Sequence, residues 1–301
     1  MENKVPDFLY NMLIEQYGEE VSNKIIDGFG QNRKLTLRIN KLKTTVENVK
    51  KVLTDLNIKF SEVSWSEDAL IIEGTTKQEI LELEIYINGE IYLQSLSSMI
   101  PALILNPQAN ENILDMAADP GGKTTQMSAI SNNLALITAC EKNKIRAERL
   151  KYNIQKQGAN RVNVLVEDSR KLDDNFSFDK ILLDAPCSGS GTINIFDEKL
   201  NKYFTKELVD RSIKTQKELL QKAIKVLKNG GEMVYSTCSI LKQENEENIE
   251  KFLKNNQLEI VPIDIELLKD ISLLPSKIEG VITVCPNELY EGFFVAKLRE
   301  K

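Results

Sequence analysis

The sequence predicts an α/β protein, with a mainly parallel sheet covered by helices on both faces and a small α+β unit in front of it. Three observations lead there. From about Asn112 onward, short runs of strand-forming residues alternate with helical stretches, the pattern that builds parallel sheets through crossover helices. Before that point the same alternation is missing, and strand-like runs follow one another with a single amphipathic helix among them. The length of 301 residues, 42% of them apolar and 28% charged, suits one large domain with a smaller companion.

The elements follow in order. In the N-terminal unit, residues 1–92, LTLRIN alternates as a strand does, TTVENVKKVLTDLNI suits a helix opened by a threonine cap, and ALIIEG and EIYINGEIYLQ suit strands. The larger domain takes residues 93–301. There ENILDMA leads into PGGKTTQMSAI, a Pro-Gly-Gly turn opening a helix, and LALITACE leads into KIRAERLKYNIQKQG. In that second helix Ala147, Leu150 and Ile154 share a face, and Gly158 is a natural stop. VNVLVED and KILLDAPC are the next strands, followed by a helix through TQKELLQKAIKVLKNGG, the strand EMVYSTC, a helix in EENIEKFLKNN, and the strands VITVC and GFFVAKL. In such sheets ligands bind beyond the carboxyl ends of the strands.

Composition narrows the chemistry. The cysteines, Cys140, Cys187, Cys238 and Cys285, stand 47, 51 and 47 residues apart, and the chain has no histidine. That spacing argues against a zinc site or a disulfide scaffold, and no metal is expected. Without histidine, acid–base work falls to carboxylates, lysine, thiols or water. No apolar run approaches the roughly 18 residues of a membrane span, and MENKVPDFLY does not read as a signal peptide, so a cytoplasmic protein is expected. The net charge of −6 argues against a generic polyanion binder. Yet Arg33–Lys51 and Lys142–Arg161 each hold seven basic residues and one acidic. Such stretches are either solvated faces or parts of a nucleic-acid groove.

LDMAADPGGKTTQ puts Asp115 at a strand end, ahead of Gly121 and Gly122, which permit close backbone approach at a helix N-terminus. Glu141 lies nineteen residues after Gly122, near the ~20-residue offset of a ribose-binding acid. Asp168 ends the third strand, where it could accept from an adenine amino group. The loop matches neither GxGxxG nor GxxxxGK[ST]. S-adenosylmethionine, with its carboxylate, ribose diol and adenine, matches the three positions in order.

Cys187 follows KILLDAP and Cys238 follows EMVYST, so both sit at strand exits. A free cysteine commonly packs as a small hydrophobe. Here SGSG follows the first, and Ser236, Thr237 and Ser239 surround the second, which is polar company for a core. A lysine such as Lys123 would lower a thiol pKa and favour the reactive thiolate. Cys140 and Cys285 read as packing residues.

DMAADPGGKTTQ, LLDAPCSGSGT, GGEMVYSTCSI with ENEEN after it, and EGFFVAKL together resemble the Nol–Nop–Sun family of RNA 5-methylcytosine methyltransferases. LRINKLKTT and GEIYLQSLSSM extend the likeness over nearly the whole chain. The resemblance implies a class I, Rossmann-like S-adenosylmethionine methyltransferase with a seven-stranded sheet. It implies that Cys238 attacks C6 of a cytosine, that Cys187 assists release of the methylated base, and that Asp184 and Lys123 hold the base. Ala117, Ala118, Asp119, Pro120, Gly121, Gly122, Lys123, Glu141, Asp168 and Asp184 would hold the cofactor. The partner would be ribosomal or transfer RNA, gripped by the N-terminal unit and the basic stretches because the chain stops after GFFVAKL; a monomer is expected. One departure stands out: Asp119 replaces the small residue usual before the proline, and would repel the cofactor carboxylate, face solvent or pair with Lys123. Other readings are a catalytically weak RNA-binding or assembly factor, an amine methyltransferase that leaves Cys238 without a task, and a DNA cytosine enzyme.

Overall fold

The computed structural model describes residues 5–301; the first four positions of the expected N-terminal unit, with the start of MENKVPDFLY, lie outside the described residues. Helix α1 (Asp7–Phe29) is broken at Gly18, where φ is +77°. Its Leu9, Leu13, Ile25 and Phe29 pack against Ile193, Phe204, Ile240 and Cys285 of the larger half. Tyr17 Oη and Gln16 Nε2 both donate to the Ile240 carbonyl, at 2.7 and 3.1 Å. The first helix thereby braces the chain just beyond Cys238.

The small unit proper comprises β1 (Leu35–Ile39), α2 (Val46–Asp55), β2 (Lys59–Val63), β3 (Ser66–Glu73), α3 (Lys77–Glu82), α4 (Glu84–Ile87) and β4 (Ile91–Leu93). Its strands form an antiparallel sheet in the order β2-β3-β1-β4, closed over Leu37, Val49, Leu53, Leu70 and Ile91. The Thr45 hydroxyl caps α2 by accepting from Asn48 N at 3.2 Å, as the sequence predicts. EIYI differs from expectation: it is the helical turn α4, with Ile85 buried. An apolar run this short cannot distinguish the two periods, and the chain must reverse through Gly89, at φ +73°, to enter β4.

Helix α5 (Leu96–Leu105) is a further surprise, because Pro101 sits inside it and proline normally ends a helix. Burial of Leu96, Met99, Ile100, Ala102 and Leu105 holds it against the main sheet. Then follow β5 (Asn112–Asp115), α6 (Gly122–Ile130), β6 (Leu136–Cys140), α7 (Lys144–Gln157), β7 (Val162–Leu165), β8 (Phe178–Asp184), α8 (Leu200–Tyr203), α9 (Lys206–Val226), β9 (Leu227–Thr237), α10 (Glu246–Lys254), β10 (Leu258–Ile260), β11 (Leu273–Leu274), β12 (Ile282–Val284) and β13 (Phe293–Glu300). The main sheet runs β11-β12-β13-β9-β8-β5-β6-β7, with β10 added on β13. Strands β7, β6, β5, β8 and β9 are parallel; β13 joins β9 antiparallel. The result is a Rossmann-like α/β fold. Among the described residues the sheet has nine strands rather than seven, the additional ones being β10 and β11, of three and two residues. Segments that short carry no readable alternation.

Both faces of the sheet are buried, which explains the continuous apolar runs. Along β8, Leu182 faces a core shared with Met99, Met127 and Val234. Its neighbours Ile181 and Leu183 face the opposite core, with Leu220, Ala223 and Tyr235. From β5 the chain steps outward through β6 and β7, then returns to the other side of β5 as β8 and β9. That reversal opens a crevice at the carboxyl ends of β5 and β8, where Asp115 and Asp184 end their strands. No helix among the described residues is long and apolar enough to cross a membrane.

Candidate active site

Gly121 precedes α6 at φ +104°, a conformation that costs glycine little and any other residue strain. A Cβ there would also meet the Leu150 side chain at 3.0 Å. The turn curls Ala117, Ala118, Asp119, Pro120, Gly122 and Lys123 around a cavity of about 200 Å³, with Asp115 and Asp184 in its wall. Tyr92 of β4 closes it from the N-terminal unit, Gln94 from the link that follows β4, and Ser98 from α5. Asp115 is fully enclosed; burial pushes its carboxyl up to about 6, against the Thr124 hydroxyl that donates to it at 2.7 Å.

A second hollow of about 70 Å³ shares Ala117 with the first and is lined by Glu141 and Asp168 together with Lys142 and Arg146. Glu141 accepts from Asn143 N at 2.7 Å. Asp168 accepts from Arg170 Nε at 2.9 Å and Nη2 at 2.5 Å, and this guanidinium holds its carboxyl down to about 2. Three acids thus stand at or just beyond the ends of β5, β6 and β7, along two hollows that meet. The donor set fits a ligand with an amino-acid head, a diol and an amino-bearing ring.

Asp119 does not pair with Lys123. It takes a two-pronged ion pair from Arg149 on α7, Nε to Oδ1 at 2.8 Å and Nη2 to Oδ2, while Asn153 Nδ2 donates to the Pro120 carbonyl at 2.7 Å. The carboxylate that departs from the family pattern is therefore neutralised by a helix thirty residues on. Because Arg149 is largely exposed, the pair contributes at most about 1 kcal/mol, or about fivefold in affinity. We expect Arg149→Ala to weaken S-adenosylmethionine binding by up to that factor, and the double variant with Asp119→Ala to recover it, as read by titration calorimetry. An Asp119→Ala protein that binds more tightly than wild type would show that repulsion survives the pair.

At the other end of the crevice the two thiols meet. Cys187 Sγ lies 3.1 Å from Cys238 Sγ. Parallel neighbours β8 and β9 end at the same edge, so their exits are adjacent. Asp184 Oδ2 accepts from Lys123 Nζ at 2.8 Å, and Oδ1 from Ser236 Oγ at 2.8 Å. Lys123 also donates to Ser98 Oγ at 2.7 Å and lies 5.4 Å from the centroid of the Phe293 ring. Lys123, expected to lower a thiol pKa, is paired with Asp184. Cys187 moves the opposite way: its contact with Cys238, its burial and the negative charges around it push its thiol well above the ordinary range. Cys140 and Cys285 are buried, and burial pushes Cys140 up to about 12.

The basic stretches are occupied within the protein. Lys34, Lys41, Lys50 and Lys51 make ion pairs, and Arg38, fully enclosed, donates to Thr125 Oγ1 at 2.9 Å. Lys142 and Arg146 instead face the second hollow. Sequence reasoning assigned no role to Tyr92, Gln94 and Ser98, which close the cavity, or to Glu244, considered below. Their only signal was membership of the stretches GEIYLQSLSSM and ENEEN.

A family model described as 16S rRNA methyltransferase RsmB/F matches residues 102–299, and a model of the ferredoxin-like domain of RsmF/B-like methyltransferases matches residues 5–79. The chain is 34% identical over 270 residues to the ribosomal RNA small subunit methyltransferase F of Shewanella sp. (strain ANA-3), covering 87% of this chain and 55% of that protein. It thus spans a little over half the length of that curated relative. Among solved structures, NSun6 from Pyrococcus horikoshii with SFG superposes with a TM-score of 0.88 at 25% identity, over 100% of this chain and 99% of that one. A methyltransferase homolog protein from the same organism gives 0.83 at 28% identity, over 99% and 100%.

Proposed function

Given that the chain belongs to the 16S rRNA methyltransferase RsmB/F family, we propose that it methylates C5 of a cytosine in ribosomal RNA through a covalent cysteine adduct. The observation that carries this reading is the pair of sulfurs 3.1 Å apart, at the exits of β8 and β9, where Asp184 ends β8 and lines the cavity with Lys123.

S-adenosylmethionine is the methyl donor and, when bound, supplies an electrophilic methyl group on a sulfonium. The 117–123 turn, Glu141 and Asp168 would hold it, with Asp184 between it and the base. C5 of cytosine is too weak a nucleophile to take a methyl group unaided. Cys238, as thiolate, forms a bond to C6, and the C5=C6 electron pair moves onto C5, which becomes enamine-like. Asp184, fixed by Lys123 and Ser236, is placed to accept from the exocyclic amino group and to exchange a proton with N3. After methylation, C5 loses its proton to solvent or a nearby base, the double bond re-forms, and the C6–S bond breaks. Cys187, whose Sγ lies 3.1 Å from that of Cys238 at rest, donates to the departing sulfur and supports its release. The target cytosine must leave its stack to reach these groups.

Transfer of labelled methyl from S-adenosylmethionine into an unmodified 16S rRNA transcript, followed by digestion to nucleosides, tests the reading. Label in 5-methylcytidine is expected. Label in an N-methylated nucleoside would overturn it, and RNA binding without any label would point to an assembly factor.

A further inference from the structure

Glu244 takes no part in the chemistry above, yet it touches both halves of it. It is fully buried and lies six residues beyond Cys238. Its Oε1 accepts from Ser188 N at 2.8 Å and Gln216 Nε2 at 3.0 Å. Its Oε2 accepts from Ser188 Oγ at 2.5 Å and Ser239 Oγ at 2.6 Å. Four donors converging on two oxygens is the pattern of an ionised carboxylate, which only accepts.

The identity of the donors matters. Ser188 directly follows Cys187, and Ser239 directly follows Cys238, so one carboxylate grips the segment beyond each sulfur. Gln216 is held in turn by Asn248, whose Nδ2 donates to its Oε1 at 2.8 Å. The Glu244 carbonyl accepts from Tyr235 Oη at 2.5 Å. Further bonds join the same two segments: Ser190 Oγ to Ser239 Oγ at 2.8 Å, and Gly191 N to the Cys238 carbonyl at 3.0 Å. Hydroxyls and backbone would be enough for a neutral clamp. A buried negative charge is costly to enclose, and its position against the thiols gives it a second effect.

We propose that Glu244 is a positioning residue that sets the contact between the two sulfurs and, through its charge, disfavours a thiolate at Cys187. Cys187 faces Cys238 directly, Glu244 across Ser188, and Tyr235 behind them. Burial keeps the Tyr235 phenol neutral, and the Lys123–Asp184 pair lies at the cleft. After the contact with Cys238 and burial, the nearby anions, Glu244 among them, account for the raised Cys187 thiol. Like charge disfavours a second anion, so the carboxylate that holds Ser188 opposes a thiolate at Cys187.

For turnover the inference rests on the methyl-transfer reading, but its main test needs no RNA. Iodoacetamide alkylation of each cysteine is followed across pH by peptide mass spectrometry in wild type, Glu244→Gln and Ser188→Ala. The Glu244→Gln protein is expected to alkylate at Cys187 at a pH lower by about one unit. Ser188→Ala keeps the charge and loses one grip; its Cys187 profile is expected to stay in place while kcat falls about tenfold at unchanged cofactor affinity. Coincident Cys187 profiles in wild type and Glu244→Gln overturn the proposal. If Glu244→Gln does not fold, the Ser188→Ala kcat decides, and a wild-type value overturns it. A shifted profile in a protein that methylates no RNA would sink the methyl-transfer reading and leave the assignment of Glu244 standing.

Discussion

Cys238→Ser is expected to lose methyl transfer by more than about 10³-fold, at least ~4 kcal/mol of transition-state stabilisation, and to form no adduct with RNA. A serine hydroxyl is far less acidic than a thiol and is a weak nucleophile without a dedicated base, and the chain has no histidine to provide one. The partner variant should fail differently. Cys187→Ser keeps the attacking sulfur, so the C6 bond still forms. It replaces the thiol that lies 3.1 Å from that sulfur with a shorter, less acidic hydroxyl. Turnover should fall by about 10²-fold or more while a denaturant-stable protein–RNA complex accumulates on gels. An adduct with Cys238→Ser and none with Cys187→Ser would mean that the roles of the two thiols are reversed.

Asp184→Asn should have the next largest effect. The substitution breaks the ion pair with Lys123, whose side chain is only 13% exposed, and leaves the ammonium with the Ser98 hydroxyl and the Phe293 ring. Stripping one member from a partly buried pair costs about 1–3 kcal/mol of stability, visible as a melting point lower by several degrees. The effect on turnover should be greater, about 10²–10³-fold, because the carboxylate proposed to hold the base is lost. Cofactor affinity should move less than kcat, since Glu141, Asp168 and the 117–123 turn remain. Ser236→Ala, which removes the other hydrogen bond to Asp184, should give a smaller loss in the same direction. An Asp184→Asn protein with wild-type kcat would exclude Asp184 from contact with the base.

The sequence by itself determined the local structure and the general position of the site. The period of ILLD and VYST marks buried parallel strands, Thr45 marks a helix start, Gly158 a stop and Gly121 a left-handed turn, each because a few neighbouring residues govern that backbone conformation. Parallel strands end on one edge, so Asp115, Asp184, Cys187 and Cys238 had to gather there. Partner choice was legible only in three dimensions. Nothing local in ADPGG announces Arg149 as the partner of Asp119, and nothing in MIPAL says that burial will hold a helix through Pro101. Nothing local in α1 says that Leu9 and Phe29 will pack against Phe204 and Ile240 of the larger half. Glu244 sits in an acidic run resembling a solvated face, and only the approach of β8 and β9 brings Ser188 and Ser239 onto it. Short-range sterics and hydrogen bonding act within a few residues and can be read from them. The contact between the two sulfurs depends on packing between segments 51 residues apart, and only the tertiary structure decided it.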